Sequence, residues 1–133
     1  MAEAQTGTPM RVVLIDDSPE ILEVLHLALN REPDFTVVAE ASDGEAGVAA
    51  VLEHQPELVL LDIALPVMDG LQALQLIRQE LPATIVIMLT GFSEKAAALP
   101  AAELRAHGYI RKGGSVAELL SQIREILDVR SPS

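Results

Sequence analysis

Residues 58–70 read LVLLDIALPVMDG, an apolar run that stops abruptly on the carboxylate of Asp62. The continuous apolar segment Leu58–Leu61 is typical of a strand that is buried on both faces of a parallel sheet. An ionised carboxylate at the end of such a strand needs a cation, hydrogen-bond partners or an open crevice, because burying it unpaired costs free energy. The stretch therefore predicts a central strand that presents Asp62 at the edge of a sheet.

A second apolar strand candidate, Arg11–Ile15, ends in the same way on Asp16 and Asp17. If both strands belong to one parallel sheet, the three carboxylates meet at its carboxyl edge, where ligands of open α/β sheets bind. Like charges that are packed together repel, and a hard divalent cation such as Mg²⁺ held between them relieves this repulsion. The two strand ends together favour a magnesium site.

The rest of the chain alternates short apolar runs with longer helical patterns. The predicted strands are Arg11–Ile15, Thr36–Ala41, Leu58–Leu61, Thr84–Leu89 and Gly108–Arg111, and the predicted helices are Pro19–Asn30, Gly44–His54, Gly70–Glu80, Glu94–Glu103 and Val116–Val129. Five β–α repeats with continuous apolar strands predict an α/β fold, a parallel sheet with helices on both faces. Pro100 lies inside the fourth helix candidate and predicts a break there, because proline removes a backbone hydrogen bond.

Several helix starts carry capping signals. Ser18, followed by proline, is the predicted N-cap of the first helix, and Asp69 that of the third. The patterns Ser42-x-x-Glu45 and Ser115-x-x-Glu118 match the capping box and predict the starts of the second and last helices.

Length and composition limit the class of protein. The 133 residues predict one domain over residues 10–130, preceded by a flexible tail at 1–9 and followed by a linker start or frayed end at 131–133. The net charge of −11 argues against binding to nucleic acid or to an anionic membrane. No cysteine is present, and neither a signal peptide nor a membrane-spanning run is apparent, so we expect a cytoplasmic protein.

Four successive strand ends carry groups suited to phosphoryl chemistry. They are Asp16 with Asp17, Asp62, Thr90 and Lys112. A carboxylate is a competent nucleophile towards phosphorus, and a metal ion together with a lysine neutralises the charge on phosphoryl oxygens. Magnesium suits the site because it needs few carboxylates and keeps water and phosphate oxygens as ligands.

Each of these residues alone has an ordinary structural interpretation. An aspartate after a strand most often caps a helix, Thr90-Gly91 is consistent with a turn, and a single Lys112 with a solvated side chain. Their combination at successive strand ends makes coincidence a poor explanation. The histidines are scattered, and we expect no metal or catalytic role for His26, His54 or His107.

Taken together, these residues resemble the receiver domain of bacterial two-component response regulators over about residues 10–130. The matching elements are the acidic pair Asp16-Asp17, the segment Asp62-x-x-x-Pro66-x-x-Asp69-Gly70, Thr90, and the run Gly108–Lys112. The resemblance implies a flavodoxin-like, doubly wound (βα)5 sheet with strand order 2-1-3-4-5. It places the site at the switch point between the first and third strands.

The resemblance also implies that Asp62 is the phosphoacceptor, which takes its phosphoryl group from a sensor histidine kinase. Asp17, Asp62 and the backbone carbonyl of Ala64 would ligate Mg²⁺, while Asp16 would hold the ion through water or orient it. Such a domain is not an enzyme, although it assists its own phosphorylation and dephosphorylation.

The same resemblance assigns the switch. Lys112 would pair with Asp62 at rest and with the phosphoryl group afterwards, Thr90 would donate its hydroxyl to a phosphoryl oxygen, and Tyr109 would then turn inward. The change would reach an output domain or partner protein through the face built by the fourth helix, fifth strand and fifth helix (α4-β5-α5). Homodimerisation is left open. The segment Lys112–Ser115 further resembles receivers that are joined to a helix-turn-helix output domain.

The chain departs from the family pattern at several positions. Lys112 is followed by Gly113, where most receivers have proline after a cis peptide; a cis bond without proline costs about 3 kcal/mol, so we expect a trans peptide or a strained loop. Gly91 replaces the usual alanine. Ala64 and Phe92 flank the path of an attacking water, and residues 99–106 replace the usual helix and turn, which affects the expected output face.

Two alternative functions compete with the phosphorylated switch. The departures at Gly113 and Pro100 are consistent with an interaction module that has the receiver fold but works without phosphorylation. An aspartate-nucleophile phosphatase would need a second acid two residues after its nucleophile, and Ala64 occupies that position. The sequence therefore favours the switch.

Overall fold

The computed structural model describes residues 8–91 and 106–130 of the chain. Its centre is a five-stranded parallel sheet in the order β2-β1-β3-β4-β5, which confirms the predicted fold. The strands are β1 (Met10–Ile15), β2 (Phe35–Ala41), β3 (Leu58–Asp62), β4 (Ile85–Thr90) and β5 (Gly108–Arg111). Their bounds agree with the sequence prediction to within one residue at each end.

The described helices are α1 (Pro19–Asn30), α2 (Gly44–His54), α3 (Gly70–Glu80) and a C-terminal helix (Val116–Arg130). The first three have the predicted bounds, and the last is one residue longer. The predicted fourth helix, Glu94–Glu103 with Pro100, lies outside the described residues, as does Phe92. Within the described part of the chain, no helix has the length and apolar character needed to cross a membrane.

Three of the four predicted helix starts are confirmed. Ser18 Oγ accepts a hydrogen bond from Ile21 N, and Asp69 Oδ1 accepts one from Gln72 N. The last helix begins with the complete capping box: Ser115 Oγ accepts from Glu118 N at 3.1 Å, and Glu118 Oε1 accepts from Ser115 N at 2.9 Å. Each cap satisfies amide groups that have no partner inside the helix.

The capping box predicted at Ser42 is wrong. The N-cap of α2 is Asp43, whose Oδ1 accepts a hydrogen bond of 2.7 Å from Ala46 N. Asp and Ser are equally good caps, and the carboxylate of Asp43 also interacts favourably with the positive end of the helix dipole. The helix therefore starts one residue later than the box requires, with Gly44 as its first residue.

The sheet is buried by helices on both faces. Alternate residues of β1, β3, β4 and β5 enter opposite apolar clusters, as the period of two along a strand requires. One cluster includes Val51 of α2 and Leu74 and Ile77 of α3, and the other includes Leu25 and Leu29 of α1 with Ile123 of the C-terminal helix. The apolar residues of β3 are fully buried, so the strand that carries Asp62 is held on both sides.

Candidate functional site

Two neighbouring strands bring the predicted carboxylates together. Ile15 of β1 pairs with Leu61 of β3, so Asp16 and Asp62 follow at the same level of the sheet. Asp16 is fully buried and Asp62 is 2% exposed, whereas Asp17 is exposed. One oxygen atom of each of the three side chains lies within 4.8 Å of the other two. The predicted acidic cluster is therefore present at the carboxyl edge of the sheet.

Lys112 follows β5 and reaches into this cluster from the other side. Its backbone N donates a hydrogen bond of 2.8 Å to the carbonyl of Thr90, which fixes the start of its side chain. Its Nζ lies 2.8 Å from Asp16 Oδ2 and 3.1 Å from Asp62 Oδ1. The ammonium of Lys112 therefore bridges the two buried carboxylates.

The electrostatics of the cluster oppose the ionisation of Asp62. Burial raises the pKa of Asp62 most, and the neighbouring charge of Asp16 raises it further; contact with Lys112 and the backbone of Ala64 act in the opposite direction. For Lys112, burial lowers the pKa, but its contacts with Asp16 and Asp62 outweigh burial, and the net direction is upward. The lysine therefore stays charged beside a carboxylate that is partly unsatisfied.

The donor atoms of the cluster fit a magnesium ion. All are carboxylate oxygens, which are hard ligands, and one from each of the three side chains lies within 4.8 Å of the other two. Asp16 Oδ1 already accepts a hydrogen bond of 2.9 Å from Ser18 N, and its Oδ2 faces Lys112. Asp17 is exposed and has more freedom to bind an ion directly, which agrees with the indirect role expected for Asp16.

The predicted switch residues lie on the adjoining strands. Thr90 ends β4 and is half-buried, and Tyr109 lies on β5 and packs against the apolar cluster that also contains Met88. The hydroxyl of Tyr109 is buried with no hydrogen-bond partner among the described residues, and burial raises the pKa of this phenol. The structure thus brings Asp16, Asp17, Asp62 and Lys112 together, while Thr90 and Tyr109 stand on neighbouring strands.

The segment after Lys112 departs from the usual proline without displacing the lysine. The Lys112–Gly113 peptide is trans, which confirms the first of the two expected geometries. Gly113 has φ of 104°, a left-handed conformation that glycine adopts without steric cost. A glycine turn therefore lets Lys112 reach the carboxylates without a cis bond.

Sequence reasoning missed the packing of the loop between β3 and α3, residues 63–69. Val67 has φ of 69°, and Met68 N donates to Pro66 O at 2.8 Å, which closes a tight three-residue turn. A Cβ atom on Gly44 would lie 1.8 Å from Met68 O, so α2 touches this loop directly. The sequence predicted that a helix starts at Gly44, but it did not indicate that this glycine packs against the loop.

Two of the histidines have structural contacts elsewhere. His26 Nδ1 lies 2.5 Å from Glu40 Oε2, and His107 Nδ1 accepts a hydrogen bond of 3.0 Å from Val86 N. Neither residue belongs to the acidic cluster. The absence of a catalytic role for the histidines stays a prediction.

Comparison with known proteins identifies the family. The model of the response regulator receiver domain matches residues 12–124. The chain belongs to this family. Among curated relatives, the transcriptional regulatory protein LiaR of Bacillus subtilis is 36% identical over 115 residues, covering 86% of this chain and 54% of LiaR. A protein-glutamate methylesterase/protein-glutamine glutaminase of Thermotoga maritima is 35% identical over 135 residues, covering 93% of this chain and 39% of that protein.

Solved structures give the same result for this receiver domain. The NarL signal receiver domain of Mycobacterium tuberculosis superposes with a TM-score of 0.82 at 32% identity, covering 90% of this chain and 96% of that one. CheY in the CheX-CheY-BeF3-Mg complex of Borrelia burgdorferi gives a TM-score of 0.85 at 27% identity, with 93% of each chain covered. The chain spans about half the length of relatives such as LiaR and less of the methylesterases.

Proposed function

We propose that Asp62 is the phosphoacceptor of this receiver domain and takes its phosphoryl group from a phosphohistidine of a sensor histidine kinase. One Oδ of Asp62 attacks phosphorus, the P–N bond to the kinase imidazole breaks, and the imidazole leaves with the bonding pair. The observation that carries the proposal is the bridging position of Lys112, whose Nζ lies 2.8 Å from Asp16 Oδ2 and 3.1 Å from Asp62 Oδ1 beside exposed Asp17.

The roles of the surrounding residues follow from their placement. Lys112 neutralises charge on the phosphoryl oxygens, since its ammonium is already held at Asp62. Asp17, Asp62 and the carbonyl of Ala64 hold Mg²⁺, and Asp16, with both oxygens engaged, orients the ion. When bound, the ion supplies further neutralisation of the developing charge. The chemistry of this chain ends with accepting and releasing one phosphoryl group.

We infer that Thr90 and Tyr109 pass the phosphorylated state outward. The phosphoryl group adds strong acceptor oxygens, to which the Thr90 hydroxyl donates. The buried hydroxyl of Tyr109 has no hydrogen-bond partner among the described residues, so no described hydrogen bond opposes its movement. The readers of this change are an output domain, a partner protein or a second copy of the chain, in contact with β5 and the C-terminal helix.

The direct test is intact-mass measurement after incubation with a small acyl phosphate and Mg²⁺. We expect one added phosphoryl group on the wild type, none on Asp62→Asn, and none when a chelator removes the ion. Asp128→Asn changes an exposed aspartate on the C-terminal helix and serves as the matched control, which should be labelled like the wild type. Labelling of Asp62→Asn, or an unlabelled wild type, would contradict the proposal.

Two observations favoured the alternative, an interaction module that works without phosphorylation. One of them no longer supports it. Gly113 motivated it, because this glycine stands where most receivers have a proline that follows a cis peptide. Lys112 nevertheless contacts both Asp16 and Asp62 with a trans peptide. The other support, Pro100, lies outside the described residues.

A further inference from the structure

Gly44 is in close contact with the loop that follows the phosphoacceptor. It is the first residue of α2 and is buried, and a Cβ atom added there would lie 1.8 Å from Met68 O and 2.7 Å from Met68 C. Cβ atoms essentially never approach other atoms closer than 3.0 Å. Gly44 N also donates a long hydrogen bond of 3.4 Å to Pro66 O. The first turn of α2 therefore rests on the backbone of residues 63–69.

Short hydrogen bonds hold the backbone of this loop, so the loop has little freedom to accommodate a displacement of Met68. Gly70 N donates to Ile63 O at 2.8 Å, which closes the loop at its base. Inside that closure, Met68 N donates to Pro66 O at 2.8 Å and forces Val67 into a left-handed conformation. A displacement of Met68 is therefore transmitted along a short backbone path towards Ala64 and Asp62.

The helix on the other side of the contact is equally constrained. Asp43 caps it through the hydrogen bond of 2.7 Å from Ala46 N. One turn further along, a Cβ on Gly47 would lie only 2.7 Å from Ile15 Cδ1, so the helix already lies against β1. Since α2 is pinned by its cap and by β1, an atom added at Gly44 moves the loop rather than the helix.

We propose that Gly44 is a positioning residue for the phosphorylation site: its missing side chain lets α2 set the position of residues 63–69, and thereby of the Ala64 carbonyl and the Asp62 carboxylate that hold Mg²⁺. This inference rests on the function proposed for Asp62. Gly44 lies at the start of a helix, whereas the side chains of the proposed site lie at the ends of strands.

The test compares Gly44→Ala with Gly47→Ala on the same helix. A Cβ at Gly47 meets only the Ile15 side chain, whereas a Cβ at Gly44 meets backbone. We expect Gly44→Ala to weaken Mg²⁺ binding, measured by isothermal titration calorimetry, by about tenfold or more, which is the usual cost of disturbing the support of a metal ligand. Gly47→Ala should lower the melting temperature but leave the Mg²⁺ dissociation constant within about twofold of the wild-type value.

A second pair of variants keeps the inference testable if Gly44→Ala does not fold. Asp43→Ala removes the N-cap and loosens the start of α2, and Asp43→Asn removes the same charge but keeps a capping side chain. We expect Asp43→Ala to weaken Mg²⁺ binding several-fold more than Asp43→Asn does. Equal affinities in these two variants would overturn the inference.

The result for the wild type separates this inference from the proposed function. If the wild type binds Mg²⁺ and accepts a phosphoryl group, but Gly44→Ala matches it in both, only the positioning role of Gly44 is wrong. Equal weakening in Gly44→Ala and Gly47→Ala would also overturn it, because general loosening of α2 would then account for the effect. A wild type that neither binds Mg²⁺ nor accepts a phosphoryl group would instead refute the proposed function.

Discussion

Two ion clusters in this molecule carry the same charges but differ in their exposure to solvent. Each consists of one cation between two carboxylates. They are the buried ion cluster, Asp16, Asp62 and Lys112, and the surface ion cluster, Glu32, Asp34 and Arg124. The carboxylate side chains of the first are 1% and 3% exposed, and those of the second are 29% and 52% exposed.

The surface ion cluster is held by several hydrogen bonds from Arg124. Arg124 Nη2 donates to Glu32 Oε1 at 2.7 Å and to Asp34 Oδ1 at 2.9 Å, and its guanidinium lies 5.5 Å from the centre of the Phe35 ring. The hydrogen bond from Arg124 is the largest cause that lowers the pKa of Asp34. This cluster joins the C-terminal helix to the turn before β2.

The buried ion cluster has the opposite effect on its carboxylate. Burial and the charge of Asp16 raise the pKa of Asp62 by more than its contact with Lys112 lowers it. The same set of charges therefore has opposite effects on a carboxylate in buried and in exposed surroundings. Removal from water, without full hydrogen bonding, leaves a carboxylate that gains from a new cation or a covalent partner.

The largest effect is expected when the cation of the buried ion cluster is removed. Lys112→Met leaves Asp16 and Asp62 buried without a counter-charge, and we expect the free energy of unfolding at neutral pH to fall by about 2 kcal/mol. Urea denaturation in metal-free buffer measures this change. The loss should shrink as the pH is lowered, because protonation of one carboxylate then relieves the repulsion.

Lys112→Arg is the matched control for this variant, since it keeps the charge and should recover most of the stability. Mg²⁺ should also stabilise Lys112→Met more than it stabilises the wild type. If Lys112→Met loses no more stability than Arg124→Met does, burial does not make the cation of the buried ion cluster contribute more to stability than the cation of the surface ion cluster.

The second prediction is that the stabilities of Asp62→Asn and Asp34→Asn, each measured relative to the wild type, change with pH in opposite directions. Because the folded-state pKa of Asp62 is raised above 3.8, its ionised form destabilises the native state at neutral pH, and this cost disappears as the pH falls through the folded-state pKa. Asp62→Asn should therefore be more stable than the wild type at pH 7, by about 1 kcal/mol. The advantage should decline on acidification in metal-free urea denaturation.

Asp34→Asn should show the reverse dependence. The folded-state pKa of Asp34 is lowered below 3.8, so its contribution to stability is present above that value and is lost as the pH falls through the folded-state pKa. Asp34→Asn should thus be less stable than the wild type at pH 7 and approach it in acid. The same sign of pH dependence in both variants would show that burial does not separate the two aspartates.

The sequence was sufficient for most of the fold because the relevant signals are local. Apolar runs such as Leu58–Leu61 and helical spacing elsewhere predicted the bounds of the described strands and helices to within one residue. The site followed from topology, since parallel strands end at one edge and so bring Asp16 and Asp62 together. The roles of Thr90 and Tyr109 came from family resemblance and stay predictions.

The features that could not be predicted depend on distant contacts or on nearly equal local choices. Ser42 and Asp43 are both good caps, and the packing of Gly44 on Met68 is visible only in three dimensions. The left-handed Val67 follows from closure of a loop rather than from its own preference. Arg124 pairs with Asp34 across 90 positions of sequence, beyond the range of any local pattern.

A smaller effect is expected when the surface ion cluster loses its cation. Arg124→Met keeps an apolar stem but removes the hydrogen bonds and the contact with Phe35, and we expect a loss of about 0.7 kcal/mol. Because water and salt screen exposed charges, the loss should diminish when the NaCl concentration is raised from low to molar values. A loss that does not depend on salt would indicate that packing, rather than charge, accounts for the contribution of Arg124.

The smallest effect is expected for Arg124→Lys, which keeps the charge but not the planar fork. Arg124 contacts Asp34 through two nitrogens, Nε at 3.2 Å and Nη2 at 2.9 Å, and a lysine ammonium cannot reproduce that paired geometry. We expect a loss of about 0.3 kcal/mol, less than half of that for Arg124→Met. Paired urea denaturations of the two variants at low salt measure the difference. If Arg124→Lys is as destabilising as Arg124→Met, the fork geometry rather than the charge stabilises this cluster, and the surface and buried cations then differ in bonding as well as in exposure.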